Sequence, residues 1–231
     1  MALIITTWFW GDKYGEHYVK KLASAVHRNL TEAHRFIAFT DSPRHLPGIE
    51  QYTIPDMRLT AIPGCFVRLR LFDPEWQAKC GINPGDRVVN MDLDLVVTGP
   101  LDPLFDRKDD FTILQNINTT NKCPYNGSIW MLKAGARPDV WSDFSLENYH
   151  KLGVPFHAFP DDQGWFHYKM PDAGSWGPAD GVYGYKKKGW PGADGIPESQ
   201  LADKNTRVVV FPGWRDPDKF NHLKWIRDHW R

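Results

Sequence analysis

The feature that most constrains this fold is a recurring exchange of two periodicities. Leu3–Thr7 is a continuous apolar and β-branched run, and Val19, Leu22, Val26 and Leu30 then return at helical spacing across Glu16–Leu30. Arg35–Thr40 reads as a second strand, which makes a β-α-β unit. The exchange continues less cleanly through a short strand at Glu50–Ile54, helical spacing at Phe66, Leu69, Phe72 and Trp76 within Cys65–Lys79, and a third apolar strand at Arg87–Met91. Strands apolar along their whole length, joined by helices, imply a largely parallel sheet covered on both faces. Phe111–Gln115, Ser128–Leu132 and Arg207–Phe211 are expected as further strands, Pro138–Tyr149 and Asp161–Tyr168 as helices.

No internal repeat or low-complexity linker divides the 231 residues, so a single domain over 1–231 is expected. Lysine plus arginine equals aspartate plus glutamate at 28 each, which gives no electrostatic case for nucleic acid or anionic membrane as the main partner. Met1 to Trp10 lacks a basic leader region and a small-residue cleavage site, and no apolar run approaches the roughly 18–20 residues that cross a bilayer. Cys65, Cys80 and Cys123 form no CxxC pair. Together these lead to an expectation of a cytoplasmic chain without a transmembrane segment or a thiolate-held metal.

The sharpest local signal is Asn90-Met91-Asp92-Leu93-Asp94-Leu95, where two carboxylates interrupt an apolar run. Residues two apart in extended chain point to the same side. Two such charges at the end of a buried strand repel one another and lose hydration, so they need a cation or a set of donors. Carboxylate oxygens suit the hard ions Mn²⁺ and Mg²⁺, which also bind diphosphates. Asp92 and Asp94 are therefore the candidate metal ligands; the competing reading is a solvated turn with a helix-capping aspartate.

Around this pair stand Thr7-Trp8-Phe9-Trp10-Gly11-Asp12-Lys13-Tyr14, Phe39-Thr40-Asp41, Arg68-Leu69-Arg70-Leu71-Phe72 and Gly99-Pro100-Leu101-Asp102-Pro103-Leu104, followed by Tyr125-Asn126-Gly127-Ser128 and Asp161-Asp162-Gln163. In that order they resemble the GT-A fold glycosyltransferases, especially the glycogenin and lipopolysaccharide-galactosyltransferase family. The resemblance implies an α/β GT-A (Rossmann-like) domain, with a nucleotide-sugar-binding half over 1–106 and an acceptor-side half with a closing segment over 107–231. It implies a metal-dependent transferase that moves a sugar from a nucleotide-diphosphate donor, UDP-linked by analogy, to a saccharide or other hydroxyl acceptor, with retained anomeric configuration.

By the same resemblance Thr7, Asp12, Tyr14 and Asp41 would hold base and ribose, Arg68 would face the donor, Asp92 would join metal to donor, and Asn126, Asp162 and Gln163 would contact the transferred sugar. Turn capping competes for Asp12 and Asp41, a hairpin turn for Asn126, and a helix start for Asp162. Arg215 and Lys219 are candidates to close over the diphosphate. The family's histidine metal ligand falls on Val210, which cannot ligate, and His222 is the displaced substitute considered.

Glycine and proline crowd between Pro171 and Pro197 together with Trp176, Tyr183, Tyr185 and Trp190. This composition predicts a long irregular loop, and its aromatic faces are expected to meet the acceptor. Two other functions compete: a haloacid-dehalogenase-like phosphohydrolase with Asp92 as nucleophile, and a non-catalytic carbohydrate-binding protein that draws on the eleven tryptophans.

Overall fold

A computed structural model describes residues 1–118, 123–151, 161–187, 189–190 and 205–231. Strand β1 (Leu3–Phe9) is buried along all seven residues. Its neighbours are β2 (His34–Thr40) on one side and β4 (Arg87–Met91) on the other, both parallel, and β3 (Glu50–Thr53) extends the sheet beyond β2. Past β4 the order continues with β7 (Tyr125–Lys133), β6 (Phe111–Gln115) and β8 (Gly174–Trp176), so the full sheet runs β3-β2-β1-β4-β7-β6-β8. β7 pairs antiparallel with both neighbours while β8 runs parallel to β6, so β7 alone opposes the common direction.

Alternation along β1 feeds two cores. Leu3, Ile5 and Phe9 pack on one face with Val19, Leu22 and Val26 of helix α1 (Glu16–Asn29). Ile4 and Trp8 pack on the other. There they join residues of α2 (Pro74–Lys79) and a four-residue α4 (Asp139–Ser142), the last turning back after a short α3 (Asp102–Phe105) and β6–β7. Below them lie α5 (Leu146–Lys151) and α6 (Asp162–Lys169), with Trp165 and Phe166 of α6 inside this second core. Period-2 burial on both faces is what a strand covered by helices on each side requires.

Three expectations need correction. Cys65–Lys79 is not one helix: a 3-10 segment over Phe66–Phe72 ends at Asp73, and α2 starts at Pro74. Proline forces its predecessor out of the helical region, and the Asp73 side chain accepts from the Glu75 N–H to cap the new start. Pro138–Tyr149 is likewise broken, into α4 and α5.

The glycine-rich segment is more regular than its composition predicts, because it carries β8 and β9 (Val182–Gly184); its residues 188 and 191–197 lie outside those described. β9 pairs parallel with β10 (Val208–Val210), and β10 pairs antiparallel with β5 (Leu95–Val97), giving a second, three-stranded sheet. After it the chain ends in α7 (Lys224–His229), whose neighbour Trp230 packs edge-on against Tyr18 of α1 with ring centroids 5.0 Å apart. Among the described residues no helix is long and apolar enough to cross a membrane.

Candidate active site

The acidic pair occupies the junction between the two sheets. β4 belongs to the large sheet and β5 to the small one, so Asp92 and Asp94 sit where the chain leaves one for the other. Both ends are tied down: the Asp92 N–H donates to the Ser128 carbonyl at 2.8 Å, and the Asp94 carbonyl accepts from the Phe211 N–H at 3.0 Å. Thr7 Oγ1 donates to the Met91 carbonyl at 2.8 Å, which fixes the last residue of β4 from inside β1.

Arg68 is the deepest charge in the site, with 5% of its surface exposed. Nη1 donates to Asp92 Oδ1 at 2.5 Å and to the Gly127 carbonyl at 2.9 Å. Nε donates to Asp162 Oδ2 at 2.7 Å, and Nη2 stands 2.6 Å from the same oxygen. Burial disfavours the guanidinium charge, and Asp162 and Asp92 outweigh it. Burial in turn raises Asp162 to about 8 against the pull of Arg68, and raises Asp94 to about 7 with the Asp92 charge adding to the effect. Tyr14 donates its hydroxyl to Asp94 Oδ2 at 2.8 Å, and burial together with that carboxylate keeps the phenol protonated.

The start of α6 closes the other wall. Asp161 Oδ1 accepts from the Gly164 N–H at 2.9 Å as N-cap, and Oδ2 accepts from Gln163 Nε2 at 2.8 Å. Gln163 Oε1 accepts from the Gly127 N–H at 3.2 Å, and Asn126 Oδ1 accepts from the Ser128 N–H at 3.1 Å. Gly127 is required here by space: a Cβ would fall 2.6 Å from Arg68 Nη2.

These groups line one cleft of about 760 Å³, which brings together Arg68, Asp92, Asp94, Asn126, Asp162, Gln163 and Arg215. A smaller space of about 210 Å³ adjoins it through shared residues and is lined by Trp8, Trp10, Lys13, Tyr14, Cys65 and Leu93. Four of the sequence candidates stand apart from both linings. Thr7 is buried within β1; Asp12 is exposed. Asp41 accepts from the Gly11 N–H at 2.9 Å and pairs with Arg44 at 2.6 Å, which shapes the loop after β1. Lys219 pairs with Asp216 at 2.5 Å and donates to the Trp214 carbonyl at 2.7 Å. His222 is exposed and outside both linings, and Val210 is fully buried in β10.

The aromatic residues expected to meet an acceptor do not. Trp176, Tyr183, Tyr185 and Trp190 are all buried, and Tyr185 stacks on Phe211 with centroids 4.7 Å apart. They are the core of the small sheet and α7. Sequence reasoning also passed over Lys13, Lys187 and Trp214, which line the cleft. Lys13 acts electrostatically on both Asp92 and Asp94, and Lys187 and Arg215 line the same cleft. Three cations beside an acidic pair are suited to a polyanion bridged to a cation.

Among solved structures, the chain superposes on the galactosyltransferase LgtC, solved with donor and acceptor sugar analogues, with a TM-score of 0.60 over 95% of this chain and 94% of LgtC at 13% identity. It has the GT-A fold. Mouse xyloside xylosyltransferase 1 matches with a TM-score of 0.57 at 11% identity, covering 92% of this chain and 98% of that one. The glycosyltransferase GlyE of Streptococcus pneumoniae TIGR4 matches at 0.57 and 14% identity, covering 94% of this chain and 55% of GlyE. No family profile and no curated protein matches the sequence. In this GT-A chain, then, the acidic pair lies between the large sheet and a small sheet to which the C-terminal strand belongs.

Proposed function

We propose that the chain transfers a sugar from a nucleotide-diphosphate donor, UDP-linked by family analogy, to a saccharide or other hydroxyl acceptor in the large cleft. The observation that carries this is the meeting of Asp92 and Asp94 with Lys13, Lys187 and Arg215 around one opening. In this reading the smaller space takes base and ribose against Trp8, Trp10 and Tyr14, and the three cations take the diphosphate.

The donor set fits a hard divalent ion such as Mn²⁺ or Mg²⁺. Arg68 engages Asp92 through Oδ1 and Tyr14 engages Asp94 through Oδ2, and both carboxylates line the cleft. Among the described residues no group of three or more His, Cys, Asp or Glu side chains stands at ligating spacing. Asp92 and Asp94 would hold the ion, with water and diphosphate completing its shell. The ion would neutralise charge gathering on the departing diphosphate.

Asn126, Gln163 and Asp162 lie on the sugar side of this arrangement, and amide and carboxylate groups orient hydroxyls through directional bonds. Catalysis is then mostly positioning and electrostatics. Asp161 uses both oxygens on Gly164 and Gln163, which leaves it unsuited as the base of an inverting attack and supports retention. The phosphohydrolase alternative loses its ground, since its acid pair belongs after a first strand and here follows β4 in a GT-A sheet.

Calorimetric titration with UDP and Mn²⁺ tests the reading. Asp94→Ala should abolish metal-dependent binding, and Lys187→Ala should weaken UDP about tenfold while leaving uridine unaffected. Absence of binding for every nucleoside diphosphate would overturn the transferase and leave the carbohydrate-binding protein in front.

A further inference from the structure

The tryptophans are distributed unevenly in a way that marks one of them. Of the eleven, eight are buried and Trp10 and Trp141 are partly covered by core residues. Trp214 alone stands out, at 67% exposed. An indole left in water forgoes the gain that the others collect by burial. Its backbone is nonetheless held: Gly213 turns the chain at φ +74°, and Lys219 Nζ donates to the Trp214 carbonyl at 2.7 Å. The Arg215 guanidinium lies 5.0 Å from the ring centroid, over one face. The exposed indole lines the large cleft beside Asp161, Gln163 and Lys187, and is absent from the lining of the smaller space that fits a base.

We propose that Trp214 is the platform on which a pyranose ring of the acceptor lies. The inference rests on the transferase reading and goes beyond it by naming the acceptor as a saccharide. A sugar ring has a face of C–H bonds that packs on an electron-rich indole, and hydroxyls at its edge that need donors and acceptors. The same cleft offers both: the indole face, and the Gln163 amide, which keeps one Nε2 hydrogen and one Oε1 lone pair beyond its bonds to Asp161 and Gly127. The placement also accounts for a tryptophan on the rim, since a weakly held acceptor must enter and leave across an open side.

The test uses the wild type, Trp214→Phe and Trp214→Ala, each loaded with UDP and Mg²⁺, on a printed array of neutral and acidic glycans, with UDP affinity measured separately for each. The expected result is one glycan set captured by the wild type and by Trp214→Phe, about tenfold weaker capture by Trp214→Ala, and unchanged UDP affinity throughout. Equal capture by Trp214→Ala overturns the platform, as does an array silent for a wild type that binds UDP. A loss of UDP affinity in Trp214→Ala overturns it too, assigning the indole to support of Arg215 on the donor side. Failure of the wild type to bind any nucleoside diphosphate would instead remove the transferase reading itself.

Discussion

Replacing Arg68 by methionine removes one charge from the centre of the site and keeps much of the side-chain volume. The guanidinium makes contacts to Asp92, Asp162 and the Gly127 carbonyl from a position 5% exposed. Breaking a buried ion pair by deleting one partner costs about 3–5 kcal/mol, because the remaining charge is left without compensation. For a chain of this size each kcal/mol moves the thermal midpoint by about 2–4 °C, so the expected drop is on the order of 10 °C. The sign of its pH dependence follows from the carboxylates. Burial already raises Asp162 to about 8, and loss of Arg68 removes the group that opposes that rise. A carboxyl whose folded-state pKa lies above its unfolded value binds more protons when folded, so stability falls as pH rises between the two. Near-ultraviolet circular dichroism melts should therefore show a larger deficit for Arg68→Met at pH 9 than at pH 5. The double variant Arg68→Met/Asp162→Asn should recover part of the loss, giving a non-additive cycle. Equal deficits at the two pH values together with strict additivity would refute the account of Arg68 as the counter-charge of this pair.

Gly127→Ala should destabilise by about 1–3 kcal/mol in urea titrations, since its Cβ would come within 2.6 Å of an arginine nitrogen already fixed by Asp162. Tyr185→Ala should cost about 3–5 kcal/mol in the same assay, as truncation of a buried aromatic does, whereas a loop residue facing an acceptor would lose far less. Mn²⁺ binding with UDP should weaken as pH falls below about 7, by about tenfold per unit, because the ion competes with the proton on Asp94; a flat calorimetric profile from pH 5.5 to 8 would contradict this. In the absence of ion and nucleotide the same raised Asp94 pKa makes stability fall as pH climbs from the usual carboxylate range toward 7.

What the sequence discloses of this molecule is what depends on neighbours along the chain. The β1–α1–β2 unit, the acidic pair after β4 and Asp161 at the head of α6 are each set by a few adjacent residues, and all appear where spacing predicts. The family resemblance singled out Arg68 as a site residue, while its bond to Asp162, 94 positions away, was not legible. The small sheet escaped because β5, β9 and β10 have three residues each, too few to show a period, and pair across the length of the chain. Lys187 reaches the cleft only through that pairing, so composition could show a glycine-rich segment but not which of its lysines faces the site. The aromatic residues of the same segment misled for a related reason: glycines let the chain fold tightly enough to put them inside.

The bond between Phe211 and Asp94 has a consequence for the order of assembly. Ribosomal synthesis delivers β1 to β4 early, and that parallel set can pair as it emerges. Leu95–Val97, however, remains an open edge, with Asp94 unanchored, until Val208–Val210 arrives more than a hundred residues later. The backbone of Asp94 thus gains its anchor on Phe211 only as the last strand docks, long after Asp94 itself has been made.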